Sequence, residues 1–496
     1  MATELITRAT RPPKAAPSRS DHRWAVLGLV ALAQLMVVLD MTVVTIALPS
    51  AQRALHFTNG DRQWVVTAYA LAFGSLLPLG GRLGDLIGRR YTFLVGLVGF
   101  AAVSAFGGAA QSFGWLLGAR AVQGAFGALL APAALAILST TFQEPSERAR
   151  AFAVFGGIAG SGAAIGLLLG GVLTQYLSWR WCLYINVALA APAFAGGIAL
   201  LRGELGDGQV SLDLPGATTA TAGLLAIVYG LSHAQSAGWG APLTIACLVG
   251  GAALLAVFVF LERRVRQPLL PLGVVADRTR GGSYLAVLLV GIGIFGVFLF
   301  LTYYLQQNLH YSPVKSGVAF LPLVGSVLVA SISANTIGAV RRVGPRFLVG
   351  IGMVVGGIGL VTFTGLGAHA SYPGGILPGL ILSGIGLGLS MSVAMNCATA
   401  GVAERETGIA SALANTSQQI GGSIGTALLN TIATSATASF LRSHPGGQAA
   451  VVHATLHGYS VAYWVGAAIF FAGAVVCAAI LTTRFPRGAG AGLPGL

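Results

Sequence analysis

The sequence predicts an all-α polytopic membrane protein that crosses the bilayer fourteen times. Two observations carry that prediction: a scarcity of charge and the recurrence of apolar runs of one length. Of 496 residues, 55% are hydrophobic and 8% are Asp, Glu, Lys or Arg, against roughly 25% charged in a soluble domain. So few charges cannot cover a soluble chain of this length, which excludes an ordinary soluble enzyme. Disorder is excluded because disordered segments are polar and charged. The 71 glycines show no period of three, which excludes collagen-like sequence.

The spans follow in order. A basic, polar tail (1–23) precedes the first apolar run, 24–48. That run is longer than the ~7–15 residues of a cleavable signal peptide, so it reads as a first span. Runs at 64–83, 93–110, 114–139, 151–173 and 182–201 complete a group of six. Two more, 212–232 and 241–261, stand before a second group at 282–305, 316–339, 347–367, 374–396, 409–435 and 459–482. Each suits the ~17–25 residues that cross a bilayer. The gaps are short, so no soluble domain interrupts the bundle; the longest internal ones are 262–281 and 436–458. Residues 486–496, rich in Gly and Pro, read as disordered.

The net charge of +14 would suggest nucleic acid in a soluble chain, but here it reports topology. With the N-terminus cytoplasmic and the spans alternating, 22 of the 28 Lys and Arg residues fall in cytoplasmic segments and five in outer ones. Positive charge is retained inside, so the asymmetry supports the count and places both termini in the cytoplasm. The four cysteines stand singly in or beside apolar stretches with no CxxC pair and read as small buried hydrophobes. No metal or other cofactor is implied.

Between spans 2 and 3 the chain reads Gly81-Arg82-Leu83-Gly84-Asp85-Leu86-Ile87-Gly88-Arg89-Arg90. Glycines permit a tight turn between closely packed helices. This string resembles the signature loop of the major facilitator superfamily. A weaker echo, Gly338-Ala339-Val340-Arg341-Arg342-Val343-Gly344-Pro345-Arg346, lies eight spans later. Major facilitators have two six-span halves, so an offset of eight leaves spans 7 and 8 as an inserted pair. The chain is therefore similar to the fourteen-span drug:proton antiporters of that superfamily. Leu39-Asp40-Met41-Thr42-Val43-Val44-Thr45-Ile46-Ala47-Leu48-Pro49 resembles that family's LDxTVVNVALP, with Thr45 in place of Asn. Arg120-Ala121-Val122-Gln123-Gly124 matches its RxxQG, and residues 408–422 resemble GxASxLxNTxRQxGG with Gln418 replacing Arg. In span 5 the family's GPxxGG is altered: Leu167 stands where proline is usual. The resemblance implies a major facilitator fold. A six-helix bundle at 24–201 would be joined by a linker with inserted helices (202–281) to a second bundle at 282–483, followed by a tail at 484–496.

Asp40 is the one acid well inside a span and Arg120 the one intramembrane base. An ionisable group in hydrocarbon costs at least ~2.5 kcal/mol and is by default a functional candidate. Their depths permit contact, and the resemblance implies that spans 1 and 4 line a central cavity. Asp40 is the expected proton carrier with Arg120 as its partner; the alternative is a permanent pair that braces the two spans. Gly81, Asp85, Gly88, Arg89 and Arg90 form the expected cytoplasmic gate loop. Gly162, Gly166 and Gly170, four apart and so on one helix face, are the expected outer-gate packing surface. The second half has no ionisable group inside a span. The expected substrate cavity comprises Gln123, Phe295, Phe298, Asn396, Asn415 and Gln418, with Gln419 an alternative to Gln418. An interfacial aromatic belt fits Tyr303 and Tyr304 at least as well as a cavity does.

The function expected is proton-coupled efflux of a bulky amphipathic drug, dye or antibiotic across the plasma membrane, by a monomer operating through alternating access. Its partners would be a small-molecule substrate, protons and the lipid bilayer, with no nucleic acid. Export of a native metabolite or lipid precursor, or facilitation without strict antiport, remains open. A membrane-embedded enzyme would need clustered His or carboxylates, and a channel a ring of one charge; neither pattern is present.

Overall fold

The computed structural model describes residues 19–142, 144–201, 213–265, 268–270, 272–336, 343–368, 370–399 and 407–481. Most of both tails, the stretch 202–212, and Arg341 and Arg342 of the echo therefore lie outside the described residues, as do the side chains of Phe295 and Asn335. Among the described residues the secondary structure is helical, and thirteen helices are long and apolar enough to span a membrane. The helix Pro145–Tyr176 supplies the expected fifth span, making fourteen.

Spans 1 to 8 are Arg19–Leu55, Arg62–Ile87, Arg89–Gly108, Phe113–Thr141, Pro145–Tyr176, Trp181–Leu200, Leu214–Ala237 and Pro242–Glu262. Span 9, Arg278–Tyr303, continues into a π-helical turn, Tyr304–Asn308. Span 10 is built of Pro313–Ala319 and Leu321–Thr336, and span 11 is Pro345–Thr364. A second π-turn, Tyr372–Ile376, leads into span 12, Leu377–Thr399. Spans 13 and 14 are Thr407–Ser443 and Gln448–Ile480. Ser112, Asp213, Asp277 and Ser312 cap their helix starts, each accepting from a backbone N–H of the first turn.

The segment 436–458, expected as an outer loop, is mostly helix. Spans 13 and 14 run past the apolar boundary, and the Phe440 ring stacks on His444 and meets His457. Hydropathy marks where a helix leaves hydrocarbon, while the helix itself continues as long as packing and backbone bonding support it.

Spans 1–6 pack on one another, as do spans 9–14. The inserted pair is asymmetric. Span 8 packs on span 7, and span 7 lies against span 2 from one group and span 13 from the other. Leu71, Leu224, Val228 and Ala427 form a buried cluster there. Gln63 donates to Ser232 Oγ and Thr431 to the Leu231 carbonyl. The two signature turns share a backbone device. Gly88 has φ 100° and ψ 136°, and Gly344 has φ 88° and ψ 151°, a region reserved for glycine. The echo is thus repeated in conformation, although its charges differ.

Candidate functional site

Span 1 carries Asp40 into the interior of the first helix group, where the side chain is wholly buried. A carboxylate there requires donors, and two neighbouring spans, 4 and 6, supply them. Arg120 Nη1 donates to Asp40 Oδ2 at 2.6 Å and to Gln123 Oε1 at 2.7 Å. Gln123 Nε2 donates to Asp40 Oδ1 at 2.9 Å. From span 6, Asn186 Nδ2 donates both to Asp40 Oδ1 and to Ser104 Oγ, each at 2.8 Å. Ser104 Oγ in turn donates a hydrogen bond to the Leu183 carbonyl. Arg120 also donates from Nε to the Val65 carbonyl, and its guanidinium lies 4.4 Å from the centroid of the Tyr69 ring.

The pairing of Asp40 with Arg120 is therefore present, and it is part of a six-residue polar cluster. Gln123, expected in the substrate cavity, instead belongs to this cluster. Its position follows from spacing: three residues past Arg120, it shares that residue's helix face. Asn186, Ser104 and Tyr69 carried no signal in the sequence, because a lone neutral polar residue in an apolar helix is common. On the side of Arg120 toward the Arg62 end of the bundle is a cavity of about 10 Å³, bordered by Val44, Leu48, Val65 and Leu116. That is space for a single water.

The gate-loop residues make local contacts. Asp85 approaches Arg89 at 3.8 Å with both side chains exposed, and Arg90 donates to the Ile198 carbonyl. Arg82 reaches across to the Pro268 carbonyl at 2.7 Å. A methyl group on Gly81 would meet, among the described residues, Pro132 alone at 3.7 Å.

The glycine face of span 5 packs differently from expectation. A methyl group on Gly162 would meet Val38, on Gly166 it would meet Thr42, and on Gly170 it would meet Val43. All three partners belong to span 1, so this face joins helices within one group. Contact with the other group is made by the adjoining face, where Gly171 abuts Pro313 and Val314 and the Leu167 carbonyl abuts Gly317. Leu167 thus offers its backbone to span 10 at the position where the resemblance led one to expect proline.

The expected cavity residues of the second half are scattered. Phe298 packs on Phe320 at 5.1 Å, and Asn415 Nδ2 donates to the Ser411 carbonyl of its own helix. Asn396 is on the exposed surface. The Gln418 backbone abuts Gly291 of span 9, whereas Gln419 faces the first group, donating to Met41 Sδ at 3.7 Å and packing on Gly74.

Tyr303 and Tyr304 are buried rather than interfacial. Tyr303 forms a cage with Phe300 and Tyr459 around Arg62, the first residue of span 2; the ring centroids lie 4.2, 5.9 and 5.6 Å from the guanidinium carbon. Arg62 is 3% exposed and donates to Asn430 Oδ1 at 3.1 Å and Tyr459 Oη at 3.2 Å. Nearby, Gln306 of the π-turn donates to the Ile46 carbonyl of span 1. Arg62 falls in a loop when spans are bounded by hydropathy, so its reach into the other group was invisible.

Two groups of membrane helices joined through a few interlocking contacts, with one buried ion pair in the first group, define a polytopic transporter. Comparison with known proteins identifies which. Residues 30–426 match the model of the Major Facilitator Superfamily, and the chain belongs to that family. A puromycin resistance protein of Streptomyces alboniger is 50% identical over 93% of this chain and 92% of its own length. A cephamycin export protein of Amycolatopsis lactamdurans is 39% identical over 86% and 89%. A multidrug efflux pump of Mycolicibacterium smegmatis is 31% identical over 85% and 82%. The fold is shared with a peptide transporter of the POT family (TM-score 0.67, 16% identity, 94% of this chain and 98% of that one). A bacterial homolog of the lysosomal transporter Spinster, inward-facing and unoccupied, also shares it (TM-score 0.64, 17% identity, 94% and 99%).

Proposed function

We propose that this protein exports bulky amphipathic organic compounds, antibiotics among them, across the plasma membrane in exchange for protons. Export is supported by relatives that carry antibiotic resistance, export and efflux in their names. Proton exchange rests on Asp40, wholly buried and held by Arg120, Gln123 and Asn186.

In this reading a proton arriving on Asp40 removes the charge that holds Arg120. Arg120 keeps Gln123, the Val65 carbonyl and the Tyr69 ring, so it stays in place while spans 1, 4 and 6 lose their common acceptor. The orientation adopted places both termini and the Asp85 loop in the cytoplasm, with Arg62 outside. The substrate would bind near the midplane between the two groups, where Met41 and Gln419 meet.

The test is efflux of a fluorescent substrate from energised cells. Asp40→Asn abolishes accumulation against the gradient, and a protonophore abolishes it in wild type. Because Asp40→Asn leaves Arg120 buried without a counter-ion, the double variant Asp40→Asn, Arg120→Gln serves as folding control. If Asp40→Asn still concentrates substrate, the carboxylate is only a brace between spans 1, 4 and 6.

A further inference from the structure

The two inserted helices end, on the face of the Asp85 loop, in a pair of acids far apart in sequence. Asp213 caps the start of span 7 and is 5% exposed; Glu262 closes span 8 and is 3% exposed. One oxygen of each is satisfied: Asp213 Oδ1 accepts from the Gly216 N–H at 2.8 Å, and Glu262 Oε2 from the Leu270 N–H at 2.9 Å. The other two, Asp213 Oδ2 and Glu262 Oε1, are buried and meet no donor among the described residues. Both border the same point, since a methyl group on Gly216 would strike Asp213 Oδ2 and come within 2.8 Å of Glu262 Oε1. Two carboxylate oxygens cannot bond without a hydrogen between them, and like charges this close do not both ionise.

We infer that Asp213 and Glu262 hold one proton between them, a second proton-binding site separate from Asp40. Proton transfer here is a simple balance: the doubly anionic pair binds one proton from water to become neutral-plus-anionic and returns it, with no other bond made or broken. Among the described residues the charged group facing the pair is Arg82, which acts on Glu262 through space and donates to the Pro268 carbonyl. The site therefore ties spans 7 and 8 to the segment after span 8 and to the signature loop. Loss of the proton places a second negative charge beside Arg82 and sets the two helix ends in repulsion.

Infrared difference spectra of the full chain in lipid nanodiscs test this at neutral pH. Wild type minus Glu262→Gln and wild type minus Asp213→Asn are each expected to lose one protonated-carboxyl band. The double variant is expected to lose no more than either single one, because both singles remove the same proton. Asp40→Asn leaves the band in place. Gly216→Ala, whose methyl group would separate the two oxygens, is expected to shift or remove it. Single variants that lose no protonated-carboxyl band, or a Gly216→Ala spectrum identical to wild type, would overturn the assignment. The spectra require no transport, so failure of the export reading and failure of this one are separate results.

Discussion

Replacement of Arg62 is expected to open the end of the bundle at which span 2 begins, the outer end in the proposed orientation. Arg62→Met keeps an unbranched apolar side chain of similar reach and removes the charge. It loses two hydrogen bonds from a charged donor, each about 1.5–3 kcal/mol, and a desolvated cation–π cage of about 2 kcal/mol. Against these stands the desolvation of a guanidinium with no carboxylate partner in the cage, several kcal/mol. The balance is a net loss of about 2 kcal/mol for the closed arrangement, or roughly thirtyfold in its equilibrium with an open one. The partners Phe300, Tyr303, Asn430 and Tyr459 all belong to spans 9, 13 and 14. The loss therefore falls on contact between the groups and leaves each group's own packing intact.

A cysteine placed at Leu305, buried in the π-turn beside this cage, reports the change through its reaction with a membrane-impermeant maleimide applied from outside. The labelling rate is expected to rise roughly thirtyfold in Arg62→Met when opening precedes reaction, by the same conversion. Arg62→Lys keeps the charge, loses the forked donor geometry and is expected to lie between. An unchanged rate in Arg62→Met would refute the reasoning, because the cage would then contribute nothing to closure.

Gly170→Val sets a side chain within 2.9 Å of the Val43 backbone and is expected to lower stability by about 1–3 kcal/mol, read as thermal unfolding in detergent. Gly162→Ala, which meets only side-chain atoms, of Val38 at 3.0 Å and Leu35 at 3.4 Å, is expected to cost less than Gly170→Val in the same assay. Gly88→Ala forces a non-glycine residue to φ 100° at a cost of about 1–3 kcal/mol. Gly84→Ala, with nothing nearer than Thr92 Oγ1 at 4.0 Å, is expected to leave unfolding unchanged. Asn186→Ala takes one of three donors from the buried Asp40 carboxylate and is expected to lower stability by about 1–3 kcal/mol in the same assay.

What could be read in advance depended on whether a residue's meaning was local. Asp40 and Arg120 stood out because each is a lone charge in an apolar run, and an unpaired charge in hydrocarbon needs a partner. With one acid and one base at similar depth, the pairing followed. Gly88 was readable for a similar reason, since a tight turn between two spans needs a backbone that only glycine adopts freely. The spacing of Gly162, Gly166 and Gly170 fixed a helix face but not the helix it meets, because close packing looks the same from either side. Arg62, Asp213 and Glu262 failed for the opposite reason. Each sits at a span boundary, where a charge is ordinarily solvated and costs nothing. In the fold, span 13 and span 14 cover the first, and the two inserted helices converge over the other two. Burial at a helix end is a property of the neighbours, and those neighbours lie 50 to 400 residues away in the chain. A transporter's buried charges thus divide in two. Those in mid-span declare themselves, whereas those that join moving parts take the form of ordinary loop residues, because a latch between helix groups belongs where the groups end.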